Sequence, residues 1–466
     1  MPDGPSGARR LGTVLRILAV LVGVKIFLLD TVAVRTRSMD PTIAARADRA
    51  ESVVIDRTAA WRTPRRFDIA LFRYPNHAPT SFLKRIVGLP GETVALARGA
   101  AWRIRTPREP YDLEALWRAG AVEPLRKPRD LTDAFLARLH VVDPIDLRGF
   151  TATSFDRLYL TAPEVRPRLV FADDFALEMS EASESLVRFR KAPTDALADV
   201  AARLEGREPS VPETGGDRFV WGVAVGAEIR ADADASVILH IDLPDASGAV
   251  RATLTSGGDA TLTVDGTVVA RTRCPEIAGR PARVRLDTCD VTATLRVDGI
   301  DILSHPLSVV PKAGEPTRGA SAGFGVARGR CRFHKPVYAR DLHWRAEGLS
   351  WFDVPSDAVM VLGDHPIASA DSRHFRNVTV RDLRDGTLRV GDARTRTGSP
   401  ESETPNPHTR DAETSTFVDV SGVTHTAPSG TFEVVGSSVT PFVPLSDLKG
   451  RAVAVLWPPS HVGPIR

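Results

Sequence analysis

Two residues combine a type and a setting that could carry out nucleophilic chemistry on a carbonyl. Ser38 sits in "VRTRSMDPTI" (34–43) and Lys84 in "FLKRIVGLPGE" (82–92). A serine hydroxyl is a weak nucleophile until a neighbouring base takes its proton. A lysine can be that base only when neutral, and because a free lysine titrates near ~10.4 it must leave water to lose its proton near neutrality. Lys84 lies among Phe82, Leu83, Ile86 and Val87 on a run that reads as a strand, so alternation can turn it toward an apolar interior while Arg85 points the other way. Each segment also has a plainer reading. Ser38 before Met-Asp-Pro suits a turn, and "KRIVGLPGE" suits a strand and turn of any β protein.

The elements that must position these residues read mainly as strands. "ESVVID", "FDIALFRYP" and "FLKRIVGLPGETVAL", between residues 51 and 97, are dense in Val, Ile, Leu and Phe and broken by Pro and Gly. From about 105 to 215 the pattern is irregular, apart from a candidate helix at "DLTDAFLARLH". From Phe219 to Trp344 alternating strands return, and "ATLTVDGTVVA" and "TATLRVDGIDIL" each predict a hairpin, because Asp-Gly tolerates the positive φ both turn positions need. Several such hairpins predict an antiparallel sandwich or jelly roll. The polar stretch "TRTGSPESETPNPHTRDAETS" (395–415) reads as a loop without order, and Ala452–Trp457 as a last strand.

With 466 residues and 42% hydrophobic content, the chain is long enough for two or three domains with real cores. Its 61 Lys+Arg against 58 Asp+Glu leave +3 with no basic block, which excludes nucleic acid as a partner class. Cys274, Cys289 and Cys331 form no CxxC pair and lack a His at ligand spacing, so no metal or organic cofactor is expected; one disulfide or three reduced thiols both remain open. "LGTVLRILAVLVGVKIFLLD" (11–30) is a membrane-anchor candidate interrupted by Arg16 and Lys25, which can extend toward the interfaces. A cleaved signal peptide or a buried soluble helix are its alternatives.

Four islands, "RSMDPTI", "FDIALFRYP", "LKRIVGLPGE" and "VLGDHPIASADSR", together resemble bacterial type I signal peptidases, membrane-anchored proteases with a Ser-Lys dyad. The resemblance covers residues 11–95, 350–376 and 442–458, about a third of the chain. It implies Ser38 as nucleophile and Lys84 as general base. Thr36 would join the backbone N–H of Ser38 in the oxyanion hole, Ser369 would hold the lysine amine, and Met39 would border the substrate pocket. Asp364, Asp371 and Arg373 are expected near the site, the last two as a structural ion pair. Two departures stand out: Phe67 replaces the usual Gly before Asp68, and His365-Pro366 follows Asp364 where Asn is usual.

The resulting expectation is a mainly β protein, in which a signal-peptidase-type antiparallel catalytic domain is interrupted by an inserted, concanavalin- or laminin-G-like sandwich. Its parts are a tail (1–10), a transmembrane helix (11–30), a first catalytic part (31–100), an irregular insertion (101–215), the sandwich (216–346), a second catalytic part (347–390), a polar loop (391–430) and a last catalytic part (431–466). The resemblance implies removal of signal peptides from exported preproteins after small residues, Ala-x-Ala in type, by an enzyme held once through the inner membrane in contact with lipid, its catalytic domain outside the cytoplasm. The insertion would be a spacer or bind a protein or glycan. The alternative is a tethered sandwich binding module with weak or lost peptidase activity.

Overall fold

The structure is a computed structural model that describes residues 28–465 except 47, 77–78, 107–111, 143–158, 162–167, 172–174, 182–183, 191, 196–215, 312–315, 347–350, 393–413 and 429. The chain divides into two compact units, one of residues 1–94, 200–208 and 347–466, the other of residues 95–199 and 209–346.

The first unit is built on an eight-stranded sheet. Its first four strands in sequence are β1 (Leu29–Val34), β2 (Glu51–Asp56), β3 (Ile69–Arg73) and β4 (Ser81–Gly88). Across the sheet the order is β1, β2, Leu448–Trp457, β3, β4, Ala358–Leu362 and Phe442–Pro444, with Gly463–Pro464 added to Leu448–Trp457. Every one of these pairings is antiparallel. In β2 alternate residues are buried, so Val53 and Ile55 join Val34, Met39, Ile43 and Leu71 in one apolar cluster. Ala70, Phe72, Ile86, Val361 and Phe375 form a second. Strands buried on both faces read as unbroken apolar runs, as "IALF" and "AVMVL" do here. In the chain the second unit lies between β4 and Ala358–Leu362, which are direct neighbours in the sheet.

Most of the expected membrane anchor, residues 11–27, lies outside the described residues. Its expected end at residue 30 is corrected, because Leu29 and Asp30 already belong to β1, paired with Asp56 and Ile55. Among the described residues no helix is long and apolar enough to cross a membrane. The polar stretch at 391–430 also needs correction. Residues 393–413 lie outside the described part, but Thr414–Val418 and Thr424–Pro428 form a hairpin. Arg376–Asp382 is the middle strand of a separate small sheet, between Leu388–Asp392 and Phe432–Val439.

In the second unit the strand Ser321–Arg340 serves two layers. Its first half pairs with Ser236–Asp242 and its second with Val223–Ala231. Between them Gly329 has φ +70, and a Cβ there would come within 3.0 Å of the Ala235 backbone, so the turn from one layer to the other requires glycine. The layers enclose one apolar core that includes Phe189, Ile229, Leu239, Leu286, Leu295, Phe324 and Phe333. Both expected hairpins form, with φ of 48 and 76 at Asp265-Gly266 and 52 and 83 at Asp298-Gly299. The segment read as irregular supplies more than the helix Arg129–Arg138. Phe175–Glu181 and Ser185–Phe189 both pair with Ser321–Arg340, so the sandwich draws on chain well before residue 216.

Candidate active site

Ser38 lies in the tight turn that leaves β1, where the Asp40 N–H donates to the Arg37 carbonyl at 2.8 Å and the Ile43 N–H to the Met39 carbonyl at 2.9 Å. The turn is covered, leaving Ser38 only 4% exposed. Lys84, on the interior strand β4 with Ala70 directly opposite in register, is equally buried. Its Nζ lies 2.5 Å from Ser38 Oγ, so the hydroxyl and the amine share one hydrogen bond across 46 residues of sequence. The Lys84 amine is also 5.5 Å from the centre of the Phe82 ring, which stacks on Tyr74. Thr36 Oγ1 stands 3.3 Å from Ser38 Oγ.

The fourth island follows the strand Ala358–Leu362. Gly363 has no room for a side chain, since a Cβ would fall 2.0 Å from Ser369 Oγ and 2.5 Å from the Ser38 carbonyl oxygen. That close approach puts the Ser369 hydroxyl beside the Ser38 turn, and the His365 N–H donates to the Ser38 carbonyl at 3.2 Å. Ser369 donates to Asp371 Oδ2 at 2.9 Å, an acceptor that also takes the Gly363 N–H at 2.9 Å and Arg373 Nη2 at 2.6 Å. With its proton committed to Asp371, the Ser369 oxygen keeps lone pairs with which to accept from an amine. Burial raises the Asp371 carboxyl's pKa, but the Arg373 guanidinium and His374 outweigh it and hold the group well below the usual carboxylate range. Asp371 is therefore a fixed anion.

Asp364 does separate work. Both its oxygens meet the fully buried Arg85, at 2.8 Å from Nε and 2.6 Å from Nη2, and Thr42 donates to it at 2.5 Å. This joins the strand of Lys84, the turn after Ser38 and the fourth island. Both departures from the family pattern have physical accounts. Phe67 sits at φ 69, the left-handed region that favours glycine, while its carbonyl accepts from Arg85 Nη1 at 2.7 Å. His365 Nδ1 accepts the N–H groups of Ile367 and Ala368 at 3.1 and 2.9 Å, bonds an asparagine side-chain oxygen could also accept.

The sequence reading missed Gly363, Arg85 and Thr42 as parts of the site. Gly363 carried a signal, the glycine before Asp364, whereas Arg85 looked like the outward neighbour of Lys84. Ser38, Lys84 and Met39 line a cleft of about 280 Å³ that is bordered by Val32, Ala33 and Val34 of β1 and by Ser81, Phe82 and Leu83 of β4. Among the described residues β1 is the last strand of the sheet, with one edge that no other strand pairs. Among the described residues no group of three or more His, Cys, Asp or Glu is placed to hold a metal ion. Cys274, Cys289 and Cys331 are all free thiols.

Residues 8–112 match the family model described as signal peptidase, peptidase S26. That match spans Thr36, Ser38, Met39 and Lys84. No curated protein matches the chain. Among solved structures, a carbohydrate-binding module, CBM66, from Bacillus subtilis aligns at 10% identity and a TM-score of 0.27, over 39% of this chain and 94% of its own. A Bacillus subtilis protein with a galectin-like fold aligns at 13% identity and 0.28, over 41% and 92%. A Bacillus licheniformis beta-glucanase aligns at 8% and 0.27, over 42% and 95%.

Proposed function

We propose that the chain is a membrane-anchored serine endopeptidase that removes signal peptides from exported preproteins with Ser38 and Lys84 as its dyad. The observation that carries this reading is the 2.5 Å approach of Lys84 Nζ to Ser38 Oγ at a buried site opening on a cleft. The family match over residues 8–112 supports it. Lys84, neutral when substrate arrives, takes the Ser38 proton while Oγ bonds to the scissile carbonyl carbon. The resulting oxyanion receives hydrogen bonds from the Ser38 N–H and the Thr36 hydroxyl. The Lys84 ammonium then gives its proton to the departing amine, the C–N bond breaks, and an ester on Ser38 remains. Water attacks that ester with Lys84 again taking the proton, which releases the new carboxylate and restores the serine. Ser369, accepting from the amine, and the Asp371–Arg373 pair behind it hold the lysine in line.

In this reading the preprotein lies extended along the outer edge of β1, as an added strand, and its small side chains enter the cleft lined by Met39. The N-terminal anchor keeps this edge at the membrane surface on the extracytoplasmic side, where cleavage sites emerge. The second unit acts as a spacer or docks a protein or glycan. The deciding experiment is cleavage of an Ala-x-Ala signal peptide by the purified chain and by Ser38→Ala. The expected result is one cut after the second Ala by the wild type, none by the variant, and a rate that rises with pH as the lysine deprotonates. Equal cleavage by both proteins, or none by either, would overturn the reading.

A further inference from the structure

Asp40 follows Ser38 by two residues, and its carboxylate is completely buried. Arg37 Nε reaches Oδ2 at 3.3 Å, and Arg46 Nη1 reaches Oδ2 at 2.9 Å and Oδ1 at 3.3 Å. The same Arg46 nitrogen donates to the Ala45 carbonyl at 2.7 Å. Arg37 is the residue between Thr36 and Ser38. One carboxylate thus ties the residue just before the nucleophile to the far end of its loop. We propose that Asp40 is a positioning residue that clamps the Ser38 turn through Arg37 and Arg46, setting the direction of the Ser38 hydroxyl and N–H. This rests on the reading of Ser38 as the nucleophile.

A purely stabilising ion pair would behave differently. Burial pushes the Asp40 carboxyl up to about 7, against the pull of Arg46 and Arg37, the charged groups that face it. Its folded pKa lies above the ordinary carboxylate value of 3.8, so the folded chain binds the proton more tightly than the unfolded chain does. For this group, stability falls as pH rises from the unfolded value toward the folded one. The clamp needs the anion, so its contribution to activity grows over the same interval. Opposed trends of stability and activity mark a group kept for positioning, where removing a cost to the fold removes function with it.

The test compares the full-length wild type with Asp40→Asn, which keeps the shape and deletes the charge. Three quantities are measured: kcat and KM on a signal peptide from about pH 5 to 9, melting temperature, and amide hydrogen exchange at residues 37–43. At about pH 8 the variant should lose roughly tenfold in kcat with KM within about twofold, as expected for a displaced reacting group. Its melting temperature should hold or rise, exchange in the turn should speed up, and the kcat profile should lose one of two ionisations. A variant with wild-type kcat, or one whose melting temperature and kcat fall together with an unchanged pH profile, would refute the clamp. If the wild type cleaves nothing, the peptidase reading fails on its own and exchange alone decides: equal protection of residues 37–43 in both proteins overturns the clamp, and weaker protection in Asp40→Asn upholds it.

Discussion

Each unit contains a buried lysine, and the two have opposite surroundings. Lys127, in the second unit, has its amine held by Asp290 and, at 2.8 Å, by Asp341. Burial alone would lower its pKa, but Asp290 and Asp341 more than reverse this, so the group stays charged far into the alkaline range. Each amine lies near an aromatic ring, at 5.5 Å for Lys84 and 5.9 Å for Lys127, but Lys84, in the first unit, has the Ser38 hydroxyl at 2.5 Å where Lys127 has carboxylates. Exposure hardly separates them, at 4% for Lys84 and 9% for Lys127. Burial removes water from either amine, and the groups that replace the water decide whether the charge is kept or the proton can be passed on.

Substituting both lysines breaks or sharpens this comparison most directly. Lys84→Met should abolish cleavage, on the order of 10⁴-fold or more, while leaving the fold intact, and Ser38→Ala combined with it should cost nothing further because both act in one proton transfer. Lys127→Met should instead leave Asp290 and Asp341 buried without their cation, destabilising the second unit by about 3–5 kcal/mol in denaturant unfolding. The raised folded pKa of Lys127 makes its contribution complete below the ordinary lysine value and lost only as pH climbs through the folded one, so the wild type should keep this stabilisation up to about pH 9. Cleavage surviving in Lys84→Met, or lost in folded Lys127→Met, would invert the roles.

A smaller effect is expected at the oxyanion hole. Thr36→Val keeps the shape and deletes the donor beside Ser38, so kcat should fall about 10²-fold with KM nearly unchanged, and Thr36→Ser should keep most activity. A loss confined to KM would remove Thr36 from that role. Smaller still is Phe67→Gly, where relief of about 1 kcal/mol of left-handed backbone strain offsets part of about 2 kcal/mol of lost burial. A net loss near 1 kcal/mol with activity retained is expected in thermal unfolding; a gain would mean that the Phe67 ring contributes nothing to the core. The smallest effect concerns the whole second unit. Replacing residues 95–346, the second unit together with 200–208, by a short flexible linker should leave cleavage of a small peptide unchanged, since β4 and Ala358–Leu362 on either side of the replaced segment are neighbours in the sheet and loop closure costs little more with length. A well-folded excision variant that cannot cut the peptide would show that the second unit completes the site.

How much was legible followed how local the interaction was. The strands "ESVVID" and "FDIALFRYP", the helix within "DLTDAFLARLH" and both Asp-Gly hairpins were read from neighbouring residues, because alternation and turn chemistry act over a few positions. The segments Phe175–Glu181 and Ser185–Phe189 looked irregular because their partner strand lies well over a hundred residues later in the chain. The hairpin Thr414–Val418 with Thr424–Pro428 escaped notice since its composition is that of a loop.

At the site itself, sequence alone determined that a serine in a tight turn, a lysine amid apolar neighbours and an Asp-x-x-x-x-Ser-x-Asp-x-Arg island were present in order. Only the tertiary structure decided what each of them faces. Arg85, one position from Lys84, meets Asp364 across 279 residues, while Lys84 meets Ser38 across 46. Residue type marks the lysine as the candidate base, but nothing in the local sequence tells which distant partner either cation meets. Likewise Ser369 turns its proton to Asp371, and Asp40 becomes the buried tie between Arg37 and Arg46. The physical reason is that composition and spacing set which conformations a segment favours within a few residues, whereas the partner of a buried charge, and therefore its chemistry, is chosen by the register of the sheet that brings distant segments together.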